Sequence, residues 1–194
     1  VIIGGRIGYV LFYQTNLFFS NPFYILEIWN GGMSFHGGLI GMIVSINLFC
    51  IKNNLRFFYL SDLVSFVAPI GLFFGRITNF INTELYGRVT EFPFAIIYPL
   101  IDNKPRHPSQ LYEAFFEGII LFIILFFYFN KNPKKYLVGN LSALFLIFYS
   151  LFRFMIEYLR EPDHQLGLFF NYFSMGQLLC IPLFFAGLII IFRK

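Results

Sequence analysis

An arginine directly follows a long apolar run in the stretch FFGRITNFINTELYGRV, residues 73–89. Asn79 lies three residues after Arg76, and Glu84 and Gly87 follow in the same polar stretch. A guanidinium group at the depth of lipid headgroups binds phosphate well, because its planar fork donates two parallel hydrogen bonds. The same residues would also fit an arginine that reaches the headgroups from a helix end capped by asparagines, so both interpretations stay open here.

A second charged motif lies at residues 153–160, which read RFMIEYLR. Arg153, Glu157 and Arg160 are spaced by four and three residues, which places them on one face of a helix. A salt bridge at an ordinary helix end would explain the stripe. Near hydrocarbon, however, charged groups are costly and are usually paired and functional, so the motif favours a functional role for Arg153.

A histidine, His36, stands in the sequence SFHGGLIG at the start of another apolar run. Gly37 and Gly38 beside it leave the backbone open to a ligand. Histidine is the side chain best suited to move a proton near neutral pH, which makes His36 a candidate base. The alternative is a hydrogen-bonded residue at the membrane boundary.

The stretch HPSQLYE at 107–113 begins a further apolar run, with Ser109 predicted as the helix N-cap and Glu113 in the first turn. The sequence shows no acidic cluster of the kind that holds Mg²⁺ and no glycine-rich phosphate loop. We therefore expect no metal and no cofactor, and we exclude nucleotide hydrolysis.

The composition indicates the class of protein in which these motifs lie. Of 194 residues, 58% are hydrophobic and 12% charged, and the mean hydropathy is +0.70. Soluble domains carry about 25% charged residues, so we predict an all-α integral membrane protein. A spanning helix needs about 20 apolar residues. The predicted spans are Val1–Phe19, Gly37–Ile51, Phe57–Gly75, Leu111–Phe129, Leu137–Tyr158 and Phe173–Phe192.

Basic residues predict the topology of this bundle of six spans. They collect in alternate segments, at 52–56, 130–136 and 193–194. Lysine and arginine mark cytoplasmic loops. The opposite face then receives 20–36, 76–110 and 160–172. Four prolines and its polarity make 76–110 an extramembrane insertion within one transmembrane domain, 1–194.

All three motifs and the 107–113 stretch are thereby placed near one face of the membrane. Arginines beside a proton-accepting histidine at headgroup depth predict an enzyme that acts on a phospholipid headgroup. The competing class is a transporter or a lipid-binding scaffold that uses the same arginines. A transporter more often shows internal repeats with broken helices at mid-membrane, and this sequence shows no convincing repeat.

Five stretches in order resemble one family, the prolipoprotein diacylglyceryl transferases. They are IGGRIGYVLFY at 3–13, FHGGLIG at 35–41, GRITNFINTELYGR at 75–88, HPSQLYE at 107–113 and RFMIEYLREPDHQLG at 153–167. The third is similar to the family's signature, Gly-Arg-x-Gly-Asn-Phe-x-Asn-x-Glu-x-x-Gly. Thr78 stands where the signature usually has its second glycine.

The resemblance implies a seven-span protein of the bacterial inner membrane, whose first helix would precede the six predicted here. It implies transfer of the diacylglyceryl group of phosphatidylglycerol to the lipobox cysteine thiol of preprolipoproteins. A thioether would form, and glycerol phosphate would leave, with both substrates reached from the periplasmic side.

The resemblance also implies roles for individual residues. His36 matches the family's candidate general base or orienting group. Arg76 and Arg153 match its essential arginines and would bind the headgroup phosphate. The remaining expected phosphatidylglycerol-binding residues are Asn79, Glu84 and Gly87 of the signature, Glu157 as the partner that orients Arg153, and Arg160 as an added charge.

Overall fold

The computed structural model describes residues 1–131, 138–162 and 172–193. Within this part the chain forms two compact units, Val1–Leu60 and Ser61–Lys194. Parts of two predicted loops and the end of the RFMIEYLREPDHQLG stretch lie outside the described residues. A single transmembrane domain spanning 1–194 stays a prediction.

The first unit consists of short helices joined by turns. Its elements are α1 (Ile2–Tyr13), α2 (Thr15–Ser20), the 3₁₀ turns Pro22–Leu26 and Ile28–Asn30, and α3 (Phe35–Lys52). The predicted span Val1–Phe19 is divided at Gln14, whose φ of −131° and ψ of 38° end the first helix.

Glycines let α1 and α3 approach closely. A Cβ atom on Gly4 would collide with the carbonyl oxygen of Gly37 and lie 3.0 Å from Cα of Gly41. Small residues at this spacing allow two backbones to touch. The glycines of these two helices therefore account for their close approach.

The second unit is built from four long helical segments. They are α4 (Phe57–Ile81, which begins in the first unit), the continuous segment Ser109–Lys131, α7 (Asn140–Ile156) and α8 (Met175–Phe192). The segment Ser109–Lys131 comprises α5 (Ser109–Glu113), a π-helix (Ala114–Ile120) and α6 (Leu121–Lys131). The apolar core of the second unit is formed by Leu121, Leu125 and Leu141, which are completely buried.

Three helices of the described part are long and apolar enough to cross a membrane: Phe57–Ile81, Ser109–Lys131 and Met175–Phe192. The segments Ile2–Leu11, Gly37–Lys52 and Asn140–Ile156 are apolar but shorter. The chain is thus a mostly helical membrane protein. The count of six spans stays a prediction.

Between α4 and α5 the chain forms a small polar subdomain. Strands β1 (Ile96–Ile97) and β2 (Pro105–Arg106) pair antiparallel, and a bridge joins Gly87 to Arg160 just beyond α7. This segment was predicted to begin at residue 76, but α4 continues to Ile81, so Arg76 lies on a helix. That placement orients the arginine toward neighbouring helices.

Candidate functional site

Three arginines and three glutamates lie together at one end of the second unit. This arginine–glutamate cluster consists of Arg76, Glu113, Glu117, Arg153, Glu157 and Arg160. Arg76 comes from α4, the first two glutamates from Ser109–Lys131, and the others from the C-terminal end of α7 and the turn that follows it. Ion pairs join Arg153, Glu157 and Arg160 as the predicted stripe requires, but α7 ends at Ile156, so the last two lie on the turn after the helix and not on its face.

Two glutamates bridge the two predicted phosphate-binding arginines. Nε of Arg76 lies 3.1 Å from Oε2 of Glu113, and its Nη2 lies 3.2 Å from Oε2 of Glu117. Nη1 of Arg153 contacts Oε1 of Glu113 closely and lies 3.8 Å from Oε1 of Glu117. The structure therefore brings Arg76 and Arg153 together, although 77 residues separate them in the chain.

A third glutamate extends the cluster toward α8. Oε2 of Glu157 lies 2.8 Å from Nη2 of Arg153 and 3.6 Å from Nη1 of Arg160. Its other oxygen accepts a hydrogen bond of 2.9 Å from the hydroxyl of Ser174. Ser174 also caps α8 reciprocally with Gln177, so the glutamate is fixed by the start of that helix.

The cluster is buried and balanced in charge. The side chains of Arg76, Arg153 and Arg160 are only 14%, 10% and 8% exposed. Glu113 and Glu117 are completely buried. Charges out of water need partners, and removing one partner of a buried pair costs about 3–5 kcal/mol.

The signature residues surround the end of α4. Asn79 is half-buried on its last turns, and its carbonyl accepts the backbone N–H of Glu84 at 2.8 Å. The side chain of Glu84 is exposed, while its carbonyl accepts a hydrogen bond of 2.7 Å from Gln110. These contacts join the signature to the HPSQLYE stretch, which also contains Glu113.

Gly87 is a packing position. It is buried, and a Cβ atom there would collide with the carbonyl oxygen of His107 and lie 2.8 Å from that of Leu159. Arg106 donates to the carbonyl of Gly87 at 3.1 Å. A glycine is required here because backbone approaches from two sides.

Thr78 occupies an exposed position within α4 and donates its hydroxyl to the carbonyl of Phe74 at 2.9 Å. It is not among the described residues other than glycine that have positive φ, namely Asn54, Thr83 and Leu85. The position therefore accepts threonine without backbone strain.

His36 belongs to the first unit. It is the second residue of α3, and its side chain lies outside the described part of the structure. In the same unit, Arg6 on α1 is buried and binds the loop before that helix. It donates to the carbonyl of Tyr24 at 3.0 Å and contacts that of Gly31. Its role in holding this loop was missed in the sequence, where only the neighbouring glycines were interpreted.

Two further expectations need correction. Ser109 is not the N-cap of α5, because Pro108 takes that position and the hydroxyl of Ser109 donates to the carbonyl of Leu85 at 3.0 Å. Glu113 is more than a first-turn acid, since it pairs with both arginines. Glu117 was missed, although an isolated carboxylate within an apolar run is itself a signal of a buried partner.

The polar subdomain has a separate charge network. Arg106 pairs with Asp102 at 2.7 Å and with Glu161 at 3.2 Å. The hydrogen bond from the Arg106 guanidinium lowers the pKa of the Asp102 carboxyl. Burial lowers the pKa of His107, whose Nδ1 lies 3.3 Å from the hydroxyl of Tyr112. Among the described residues, no group of three or more His, Cys, Asp and Glu side chains could hold a metal ion.

Comparison with known proteins places this chain in a family. A family model described as prolipoprotein diacylglyceryl transferase matches residues 1–193. A protein of Aeromonas hydrophila named phosphatidylglycerol–prolipoprotein diacylglyceryl transferase is 52% identical over 191 residues, covering 98% of this chain and 69% of that protein. Its namesake in Rickettsia bellii is 53% identical over 194 residues, covering 100% of this chain and 73% of the relative.

Proposed function

Because the chain belongs to the prolipoprotein diacylglyceryl transferase family, we propose that its arginine–glutamate cluster is where phosphatidylglycerol gives up its diacylglyceryl group. The reaction is the first step of lipoprotein maturation. A cysteine thiol loses its proton, its sulfur bonds to a glycerol carbon of the diacylglyceryl group, and the bond from that carbon to the phosphate oxygen breaks. Glycerol phosphate leaves with the electron pair of that bond.

A single observation carries the assignment of the site: Arg76 and Arg153, from different helices, share the buried carboxylate of Glu113. A carboxylate held between two guanidinium groups marks the position and charge that a phosphate would take. In the reaction, negative charge grows on the departing phosphate, and fixed positive groups stabilise that charge. The two arginines would supply this positive charge.

The ion pairs also set a condition on lipid binding. The phosphate diester adds one negative charge to a cluster whose charges already balance. The lipid must therefore draw guanidinium donors away from Glu113 or Glu117. Arg76, the most exposed of the three arginines, is the one that we expect to change partners first.

The remaining expected residues have supporting roles in this proposal. Glu157 orients Arg153 through the 2.8 Å ion pair, and Arg160 adds positive charge beside it. Asn79 and Glu84 join the end of α4 to the stretch that contains Glu113, and Gly87 closes the signature by tight packing.

His36 is proposed as the group that deprotonates the thiol or orients it. This role rests on the family resemblance of the FHGGLIG stretch and on the suitability of imidazole for proton transfer near neutral pH. A thiol is a weak nucleophile until it is deprotonated. His36→Asn should therefore slow transfer strongly, and unchanged turnover across pH would remove His36 from the mechanism.

The proposed setting is the bacterial inner membrane, with the cluster facing the periplasm. Basic residues at 52–56 and 193–194 support a cytoplasmic location for those segments, which puts the ends of α4 and α7 that carry Arg76 and Arg153 on the other side. The proposed protein substrate is the lipobox segment of a preprolipoprotein.

The test is transfer from labelled phosphatidylglycerol to a lipobox peptide, read as a mass shift of its cysteine by one diacylglyceryl unit. Arg76→Ala and Arg153→Ala should abolish the shift while the protein still inserts into membranes. Arg56→Ala, an exposed arginine outside the cluster, is the matched control and should keep transfer. Full transfer by either cluster variant would refute the assignment of the site.

A further inference from the structure

Asp62 on α4 is a fully buried carboxylate outside the arginine–glutamate cluster. Its Oδ2 accepts the backbone N–H of Gly139 at 2.8 Å. Its Oδ1 accepts both the backbone N–H of Ser142, at 2.8 Å, and the hydroxyl of the same residue, at 2.7 Å. A buried carboxylate is tolerated when its hydrogen bonds are satisfied in this way.

These bonds cap α7 from another helix. Gly139, at the N-cap position with φ of 105°, has no side chain to accept the free N–H groups of the first turn. The carboxylate of Asp62 accepts them and lies favourably at the positive end of the helix dipole. Hydroxyls of Ser61 and Ser65 add contacts to Ser142 at 2.8 and 3.4 Å, so the start of α7 is tied to α4.

The same two helices are joined again at the cluster. Arg76 lies fourteen residues after Asp62, and Arg153 lies fourteen residues after Gly139. At about 1.5 Å per residue, both helices cover about 21 Å between the two connections. Because both arginines pair with Glu113, α4 and α7 run parallel, and the two arginines lie at the same distance along them from the first connection.

We propose that Asp62 is a positioning residue, which fixes the axial register of α4 against α7 so that Arg76 and Arg153 meet one phosphate at the same height. The proposal rests on the proposed function of the cluster. The ion pairs that α4 makes there, from Arg76 to Glu113 and to Glu117, are 3.1 and 3.2 Å long. A slide of about 1.5 Å would lengthen such contacts beyond hydrogen-bond range.

A plain capping role predicts a different response to mutation. A cap needs the negative charge at the helix N-terminus and tolerates a longer side chain. A register role needs the length of the aspartate side chain and tolerates the loss of charge better. Asp62→Glu keeps the charge and adds one methylene, whereas Asp62→Asn keeps the length and one acceptor oxygen but loses the charge.

The experiment compares the two variants in the intact protein in membranes. Transfer from phosphatidylglycerol to a lipobox peptide gives kcat and KM, and thermal unfolding in detergent gives stability. We expect Asp62→Glu to lower kcat/KM by about tenfold to a hundredfold while the protein stays folded, because a misplacement near 1 Å has an effect of that order. Asp62→Asn should lose thermal stability but keep kcat/KM within about threefold at low temperature.

Ser142→Ala is the control. It removes the hydroxyl contacts but leaves both backbone hydrogen bonds to Asp62, so transfer should stay within about threefold. Equal or better transfer by Asp62→Glu than by Asp62→Asn would overturn the proposal. Loss of transfer in both variants together with loss of folded protein would also overturn it, because Asp62 would then act through stability alone. Absence of transfer in the unchanged protein would instead refute the proposed function.

Discussion

Replacing Glu113 with glutamine tests whether the cluster is held together by charge. Glu113 is completely buried, with Oε2 at 3.1 Å from Nε of Arg76 and Oε1 against Nη1 of Arg153. Glutamine keeps the size and one acceptor oxygen but removes the charge. Three buried arginines would then face two glutamates.

The expected loss of stability is large. Removing one partner of a buried ion pair costs about 3–5 kcal/mol, because the remaining charge stays buried without compensation. For a folding unit of the size of Ser61–Lys194, a shift of about 2–8 °C accompanies each kcal/mol. The thermal midpoint of Glu113→Gln should therefore fall by about 6 °C or more.

Anionic lipid should recover part of this loss. The variant carries an excess positive charge where the proposal places the phosphate, so phosphatidylglycerol would restore the balance. A ligand that binds only the folded state raises stability according to its affinity. We expect phosphatidylglycerol to raise the midpoint of Glu113→Gln more than that of the unchanged protein.

The assay is thermal unfolding in a neutral detergent, alone, with phosphatidylglycerol, and with diacylglycerol as the lipid without phosphate. Glu91→Gln, an exposed glutamate of the polar subdomain, is the matched control and should leave the midpoint unchanged. A midpoint of Glu113→Gln within about 2 °C of the unchanged protein would refute the reasoning. Equal recovery with diacylglycerol would refute the role of phosphate.

Three further perturbations test other contacts. Gly87→Ala should lower both transfer and thermal stability, because its Cβ would collide with the carbonyl of His107 and crowd that of Leu159, whereas Gly71→Ala, with open space around it, should be tolerated. Thr78→Gly should keep transfer within about threefold and lower stability by only about 0.3–0.5 kcal/mol, because threonine and glycine are both poor helix formers, and a larger change in transfer would give Thr78 a specific role. The lowered pKa of His107 means that the folded state favours the neutral imidazole. The stability that this preference contributes is fully present above the ordinary histidine pKa of 6.5 and is lost as pH falls below that value. Thermal midpoints between about pH 7.5 and 5.5 should therefore drop less in His107→Gln than in the unchanged protein, and equal drops would refute this account.

The sequence predicted the local parts of the site. The spacing of Arg153, Glu157 and Arg160 predicted that their side chains would meet, and ion pairs join them, although α7 ends at Ile156 and the last two lie beyond it. The membrane class followed from composition.

The partners across helices could not be predicted in the same way. Glu113 and Glu117 meet Arg76 only because Ser109–Lys131 packs beside α4, and packing between distant segments has no local signal. The cap of α7 by Asp62 was missed for the same reason, since the carboxylate lies 80 residues before Ser142 in the chain. In both cases a charged residue inside an apolar run was the available clue.

The long separation between these partners has a consequence for biosynthesis. Asp62 and Arg76 leave the ribosome well before Glu117, which follows Arg76 by 41 residues, and before Ser142. At a synthesis rate of about 5–20 residues per second, roughly 4–16 s pass between the synthesis of Asp62 and that of Ser142 in the helix that it caps. An unpaired charge inside a membrane helix is costly during that time. We therefore expect α4 to remain beside the insertion machinery until the later helices arrive, so the order of synthesis becomes part of how this site is assembled.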